Sequence, residues 1–141
     1  MENRTTVMYV DDNPKSSRLL TAVLAGCGFR VISSNDPLEA LALCSRTDFD
    51  LALLDYEMPE MSGAKLAQEI KCLLPEVPVV LLSSRFKLPA SDLVFVDAHF
   101  GFGTSLDDLL WTMRILATPR VVTMQDHLAG RKEMTRWADS T

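Results

Sequence analysis

The sequence predicts an α/β fold, in which short β-strands alternate with helices around a parallel sheet. Five short apolar runs recur along the 141-residue chain, and stretches with helical hydrophobic periodicity separate them. The middle runs are continuously apolar, which is typical of strands that are buried on both faces, so we expect helices on both faces of the sheet. The predicted strands are residues 6–11, 29–34, 50–55, 78–83 and 98–102.

Four helices are indicated by the residues at which they begin. Each begins after a residue whose side-chain oxygen can accept a hydrogen bond from the free N–H groups of the first turn. In two of them a proline follows the cap, where its missing N–H group costs nothing. Between residues 84 and 97, Pro89 interrupts the pattern, and only residues 92–96 are expected to form a short helix. The predicted capping residues are Asn13, Asp36, Ser62 and Ser105.

Composition and charge exclude several classes of protein. The length fits one domain, and 48% hydrophobic with 23% charged residues is the balance of a globular protein with a core. The net charge of −5 has the wrong sign for a broad contact with a nucleic-acid backbone. No apolar run approaches the ~18 residues of a membrane span. Because the three cysteines form no CxxC pair, we expect reduced thiols and a cytoplasmic protein. From the charge and the lack of a long apolar run, we expect no direct contact with nucleic acid or membrane.

Acidic and hydroxyl side chains stand at the ends of three predicted strands. Asp11 and Asp12 follow the first strand, Asp55 ends the third and Ser83 ends the fourth. In an open α/β sheet, the carboxyl ends of neighbouring strands converge on one crevice. Three carboxylates there repel one another unless a cation neutralises them or some of them are protonated. A hard divalent ion is the simplest answer, and oxygen ligands suit Mg²⁺. An alternative stays open for Asp11 and Asp12, because acids at strand ends also cap helices or remain solvated.

The segment after Asp55 adds a chemical role for this carboxylate. A Met-Pro turn fixes the chain just past the strand, and Gly63 lets it enter the next helix. A carboxylate held there beside a cation can act as a nucleophile toward a phosphoryl group. The hydroxyl of Ser83 can then donate a hydrogen bond to a phosphoryl oxygen.

At these positions the sequence resembles the receiver domain of bacterial two-component response regulators. The motifs are Val-Asp-Asp-Asn-Pro at residues 10–14, Asp-Tyr-Glu-Met-Pro-Glu-Met-Ser-Gly at 55–63 and Pro-Val-Val-Leu-Leu-Ser-Ser at 78–84. The resemblance implies a flavodoxin-like, doubly wound sheet of five parallel strands in the order 2-1-3-4-5, with helices on both faces. Because the pattern changes after residue 116, we expect a receiver domain over residues 1–117 and a tail over 118–141 in which one short helix could form.

The resemblance implies a role for each residue of the acidic site. Asp55 would be both a Mg²⁺ ligand and the phosphoacceptor, Asp12 a direct Mg²⁺ ligand and Asp11 a ligand through water. The backbone carbonyl of Glu57 would be a further ligand, and Ser83 would sense the phosphoryl group. A sensor histidine kinase or a phosphotransfer protein would be the donor, and a downstream protein target would respond.

One position departs from the family pattern. Receivers carry a lysine at the end of the fifth strand, where this sequence has Phe102. A phenyl ring carries no charge, and a charge-assisted contact is worth roughly 1.5–3 kcal/mol, so we expect phosphorylation to be weakened, uncoupled from signalling or absent. Arg85 or Lys87 could replace the charge, although a solvated loop cation is the plainer interpretation. His99 falls at the family's aromatic switch position, and a half-exposed strand histidine is the plainer interpretation there.

Three functional hypotheses follow. The first is a phosphoacceptor module that is not an enzyme in the ordinary sense, acts through protein–protein interaction and could form a homodimer. The second, favoured by Phe102, is a pseudo-receiver that interacts with proteins independently of phosphorylation. The third is an aspartyl-phosphate phosphohydrolase, which would need a second catalytic acid near Asp55, and Glu57 is the only close candidate. In the tail, Met134 and Trp137 fit partner binding and folding back onto the domain equally well.

Overall fold

Residues 4–85, 87–101 and 103–118 are described by the computed structural model, and they form a five-stranded sheet in the order 2-1-3-4-5. All four pairs of neighbouring strands are parallel, so the predicted fold class is confirmed. Every predicted strand is present and is one or two residues shorter than expected. Phe102 and residues 119–141 of the predicted tail lie outside the described residues. The strands are β1 Thr6–Val10, β2 Arg30–Ser34, β3 Leu51–Asp55, β4 Val79–Leu82 and β5 Ala98–Phe100.

The four α-helices begin where their capping residues predicted. Each cap accepts a hydrogen bond from a backbone N–H group of the first turn, and two caps are followed by proline. In the part of the chain that the structure describes, no helix is long and apolar enough to cross a membrane. The helices are α1 Pro14–Gly26, α2 Pro37–Cys44, α3 Gly63–Leu73 and α4 Leu106–Ala117.

Apolar side chains cover both faces of the sheet, because successive residues of each central strand point to opposite sides. On one face, Met8 of β1 and Leu54 of β3 pack with side chains of α2 and α3. On the other face, Tyr9 and Leu53 pack with side chains of α1 and α4. The helices therefore occupy both faces, and the loops at the carboxyl edge of the sheet are left to form a site.

The connection between β4 and β5 contains a 3-10 helix of four residues, Ala90–Leu93, instead of a longer α-helix. The expectation of a shortened helix is confirmed, but its predicted position over residues 92–96 is wrong. The N–H of Asp92 donates to the carbonyl of Pro89 at 3.0 Å, so the turn begins directly after the proline. Asp97 attaches the end of this segment to β4 and α3, because its Oδ2 accepts hydrogen bonds from the N–H of Val79 at 2.7 Å and from Lys71 Nζ at 2.8 Å.

Candidate metal centre at the carboxyl edge of the sheet

Three carboxylates meet at the carboxyl edge of the sheet. Asp11 and Asp12 directly follow β1, and Asp55 is the last residue of β3, the strand that pairs with β1. One carboxylate oxygen from each residue lies within 4.8 Å of the other two. Asp11 is only 6% exposed, whereas Asp12 and Asp55 are half-buried. The structure thus brings together the three acids that the strand ends predicted would meet.

Both oxygens of the Asp11 carboxylate are held by hydrogen-bond donors. The hydroxyl of Tyr9 donates to Oδ2 at 2.7 Å, and the N–H of Asn13 donates to Oδ1 at 3.0 Å. The backbone of Asp11 is fixed as well, since Asn35 Nδ2 donates to its carbonyl at 2.7 Å. A buried carboxylate needs such donors to compensate for lost hydration. Helix α1 is capped by Asn13 rather than by Asp11 or Asp12.

Asp55 is in an environment that opposes its negative charge. Burial and the nearby charge of Asp11 raise the pKa of Asp55 to about 6, with smaller contributions from the charges of Asp12 and Glu57. A hydrogen bond of 3.4 Å from the N–H of Glu57 to Asp55 Oδ1 acts in the opposite direction. Over residues 4–85, 87–101 and 103–118, the ion pairs join Lys65 to Glu69 and Lys71 to Asp97, away from this cluster.

The chemistry of the cluster fits a small divalent cation. Its donors are carboxylate oxygens, which are the hard ligands that Mg²⁺ prefers, and waters usually complete the octahedron. The pKa of Asp55 is raised first by burial and then by the negative charge of Asp11, and a bound cation would stabilise the ionised carboxylate against both effects. The acidic group is therefore of the kind that holds Mg²⁺.

The side chain of Glu57 bridges to the loop that follows β4. Its Oε1 accepts hydrogen bonds from the N–H of Ser84 at 3.2 Å and from the Ser84 hydroxyl. The hydroxyl of Ser84 is the main reason that the pKa of Glu57 is lowered. This contact fixes the loop on the rim of the acidic cluster.

Ser83 follows β4, the strand that pairs with the one bearing Asp55. The N–H of Tyr56 donates to the carbonyl of Leu82 at 2.7 Å, so the ladder between the two strands continues past Asp55. The Ser83 hydroxyl oxygen accepts from the N–H of Arg85 at 2.9 Å. A hydroxyl that accepts one hydrogen bond still has its own proton to donate.

His99 lies away from the acidic cluster along the sheet. It occupies the middle of β5, opposite Leu81 in the register, and it is exposed. The predicted departure at Phe102 falls outside the described residues.

Gly63 allows α3 to approach the end of β3 closely. A Cβ added to Gly63 would lie 2.9 Å from the Cα of Tyr56 and would also collide with the carbonyl oxygen of Asp55. The N–H of Gly63 donates to the carbonyl of Tyr56 at 3.0 Å. The glycine is therefore needed for this close approach rather than for an unusual backbone angle.

Sequence reasoning missed the hydrogen bonds of both tyrosines, of which only the one from Tyr9 reaches the acidic cluster. Tyr9 contacts Asp11, as described above, and a strand repeat of two residues is the signal that could have placed both on one face. Tyr56 donates from its hydroxyl to Asp92 Oδ2 at 2.5 Å, and the guanidinium of Arg85 lies 5.8 Å from its ring centroid. No local pattern indicates this second contact, because 36 residues separate Tyr56 from Asp92.

Comparison with known proteins decides the family. Residues 7–98 match the family model described as the response regulator receiver domain. This chain is a member of that family. The general function of these domains is phosphorylation on an aspartate, and they are signalling modules rather than catalysts in the usual sense. The match does not favour the alternative of a phosphorylation-independent pseudo-receiver.

Curated relatives of the receiver domain come from bacterial two-component systems. The chain is 37% identical over 78 residues to the transcriptional regulatory protein ZraR of Klebsiella oxytoca, covering 55% of this chain and 18% of ZraR. It is 38% identical over 74 residues to the sensor histidine kinase RcsC of Salmonella typhimurium, covering 52% of this chain and 8% of RcsC. The chain thus spans less than a fifth of the length of either relative.

Solved receiver structures share the fold. The response regulator TrrA of Thermotoga maritima, in complex with Mg²⁺ and BeF, has a TM-score of 0.73 at 26% identity, with 79% of this chain and 98% of TrrA covered. A second structure holds TrrA in complex with the histidine kinase ThkA, with a TM-score of 0.72 at 27% identity and 79% and 97% coverage. The receiver fold of this chain is therefore supported by its structure, its sequence and its structural neighbours.

Proposed function

We propose that this receiver domain accepts a phosphoryl group on Asp55 while Mg²⁺ is held at the acidic cluster. The observation that carries the proposal is the meeting of carboxylate oxygens from Asp11, Asp12 and Asp55 within 4.8 Å of one another. Bound Mg²⁺ would supply positive charge that neutralises the carboxylates and the incoming phosphoryl oxygens. Asp55 ends a strand and is half-buried, so its free carboxylate oxygen is presented to the donor from a fixed position.

The remaining ligand roles are those that membership of the receiver family implies for Asp11, Asp12 and Glu57. Asp12 is the direct ligand in this proposal, and it is half-buried whereas Asp11 is buried. Asp11 acts through water, and the hydrogen bonds to its two oxygens hold the carboxylate in place while each oxygen keeps a further lone pair for that water. The backbone carbonyl of Glu57 completes the set, and the hydrogen bonds from Ser84 hold the Glu57 side chain against the neighbouring loop.

Ser83 senses the phosphoryl group in this proposal. Its hydroxyl stands one residue beyond β4, and its oxygen accepts from Arg85 N. A hydrogen bond between Ser83 and Glu57 contributes to the lowered pKa of Glu57, and a phosphoryl oxygen would take the place of Glu57 as the acceptor of the Ser83 proton. Movement of Ser83 would be passed to β5, because the N–H of Ser83 donates to the carbonyl of Phe100 at 3.0 Å. His99 is adjacent on that strand and is the residue that would change its side-chain orientation.

A phosphorylated protein is the donor and a second protein is the target. Relatives of this chain include a sensor histidine kinase, and TrrA has been captured with its histidine kinase. We assign a kinase or a phosphotransfer protein as the donor, a downstream protein as the target, and a homodimer as one form of output. The negative net charge and the free cysteines support a cytoplasmic module that does not bind nucleic acid directly.

The domain boundary and the absence of enzymatic activity belong to the same proposal. The receiver occupies residues 1–117 and a tail follows over 118–141, because α4 ends at Ala117. A phosphohydrolase would need a second acid beside Asp55. Glu57 is poorly suited to that role, because hydrogen bonds from Ser84 lower its pKa and favour the ionised form.

The test is the intact mass of the protein after incubation with Mg²⁺ and acetyl phosphate. We expect the wild type to gain one phosphoryl group, and Asp55→Asn to gain none. Asp107→Asn is the matched control, since this exposed acid lies on α4. Removal of Mg²⁺ by a chelator should abolish the gain. A wild type that stays unmodified, or a gain that persists in Asp55→Asn, would overturn the proposal.

A further inference from the structure

Tyr9 lies in the core directly beneath the acidic cluster. It is 2% exposed and packs on the face of the sheet that α1 and α4 cover. Its hydroxyl is the polar end of this apolar side chain and donates to Asp11 Oδ2 at 2.7 Å. Asp11 continues the strand ladder, because its N–H donates to the carbonyl of Ser34 at 3.1 Å. Two residues apart on extended backbone, Tyr9 and Asp11 therefore stand on the same face.

We propose that Tyr9 is a positioning residue of the metal centre, whose hydroxyl orients the Asp11 carboxylate toward Asp12 and Asp55. The proposal rests on the proposed function, because it takes Mg²⁺ as the cation that occupies the cluster. Tyr9 itself does not contact the metal, since its hydroxyl donates its proton to Asp11 Oδ2.

The hydrogen bond from Tyr9 restricts the rotation of the Asp11 carboxylate. A carboxylate turns about the bond that joins it to Cβ, and donors on both oxygens stop that turn. The N–H of Asn13 holds Oδ1, and the hydroxyl of Tyr9 holds Oδ2. Without the hydroxyl, Oδ2 would face an apolar core, and the carboxylate would turn away to recover a donor. The cluster would then lose the oxygen that Asp11 contributes.

The expected effect is on metal affinity. Groups that hydrogen-bond to metal ligands typically change affinity by about 10- to 100-fold when they are removed. Tyr9→Phe removes only the hydroxyl and keeps the ring that fills the core. Because Asp11 reaches the cation through water, we expect the low end of this range, a rise of about tenfold in the Mg²⁺ dissociation constant of Tyr9→Phe.

The test is calorimetric titration of wild type, Tyr9→Phe and Tyr56→Phe with Mg²⁺. Tyr56→Phe is the matched control, because its hydroxyl donates to Asp92 on the 3-10 helix instead of to the cluster. We expect this control to bind Mg²⁺ within about twofold of the wild type, well below the change expected for a hydrogen-bond partner of a ligand. Binding by Tyr9→Phe as tight as wild type, or tighter, overturns the inference and leaves the proposed function standing. A wild type that binds no Mg²⁺ overturns both.

A spectroscopic readout separates positioning from a merely structural role and does not require Tyr9→Phe to fold. The chain has two tyrosines, so Tyr56→Phe leaves Tyr9 as the only one. Mg²⁺ changes the charge on the carboxylate that accepts the Tyr9 hydrogen bond, and the near-ultraviolet absorption of Tyr9 should shift in proportion to metal binding. A flat difference spectrum in a protein that binds Mg²⁺ by calorimetry overturns the inference.

Discussion

The hydroxyl of Tyr56 donates a 2.5 Å hydrogen bond to Asp92 Oδ2, which joins the residue after Asp55 to the 3-10 helix Ala90–Leu93. The guanidinium of Arg85 lies over the same ring. The segment between β4 and β5 is thereby attached to the strand that bears the proposed phosphoacceptor, although it is too short to pack as a full helix.

Tyr56→Phe should loosen the 3-10 helix. A hydrogen bond to a charged acceptor is worth about 1.5–3 kcal/mol when buried, and partial exposure here reduces the expected loss to about 1 kcal/mol. Urea unfolding measures the loss, and amide hydrogen exchange should quicken at Leu93 and Val96 while the central strands keep their protection. Exchange that is unchanged at these two amides would contradict this role of Tyr56.

Gly63→Ala should strongly destabilise the domain. The new Cβ would meet backbone atoms of Asp55 and Tyr56, which cannot move without disturbing the end of β3, and overpacking of this kind costs about 1–3 kcal/mol. Gly26→Ala is the matched control, because a Cβ on this helical glycine would have no atom within 4 Å. That control should gain about 0.5–1 kcal/mol from helix propensity. Equal free energies of unfolding for both variants would refute the steric account.

Mg²⁺ binding should weaken below pH 6. The pKa of Asp55 is raised from 3.8 to about 6 in the folded protein, so folding favours its protonated form. The resulting stability is fully present below pH 3.8 and is lost as the pH rises through about 6. Mg²⁺ needs the ionised carboxylate, and about a tenth of Asp55 is ionised one unit below its pKa, so affinity should fall about tenfold from pH 7.5 to pH 5. Calorimetry at both values measures this ratio, and an equal affinity at the two values would be inconsistent with the raised pKa.

Phe102→Lys should accelerate phosphorylation. The lysine would restore a charge-assisted contact of roughly 1.5–3 kcal/mol, which at about 1.4 kcal/mol per decade is a ten- to hundredfold change in rate. Phe95→Lys is the matched control, because Phe95 lies on the surface after the 3-10 helix. The rate of phosphoryl gain from acetyl phosphate measures the effect. If neither variant is faster than wild type, the missing lysine does not limit the reaction.

The fold and the convergence of the three acids could both be predicted from the sequence. Parallel strands end at one edge, so the strand ends alone predict that Asp11, Asp12 and Asp55 lie together. The helix caps were equally predictable, because capping depends on local side-chain chemistry. The predicted strands are one or two residues longer than the observed ones, because hydrogen bonds between neighbouring strands continue past the strand ends, as at Asp11 and Ser83.

Local sequence patterns could not predict the contacts that form between segments distant in the chain. The bond between Tyr56 and Asp92 spans 36 residues and follows from the path of the β4–β5 connection. Gly63 was expected to ease entry into a helix, but its role is steric, because α3 starts against the end of β3. The contact between Tyr9 and Asp11 was within reach of the strand repeat. It was overlooked because an aromatic residue in an apolar run is usually assigned to the core.

The central claim is that Asp55 is the phosphoacceptor, and chemical trapping of the phosphorylated residue tests it most directly. Borohydride reduces an aspartyl phosphate to homoserine with release of phosphate, and peptide mass spectrometry locates the reduced residue. After incubation with Mg²⁺ and acetyl phosphate, we predict homoserine at position 55 and unmodified aspartates at 11 and 12. Homoserine at either of those two positions, or at none, would contradict the account.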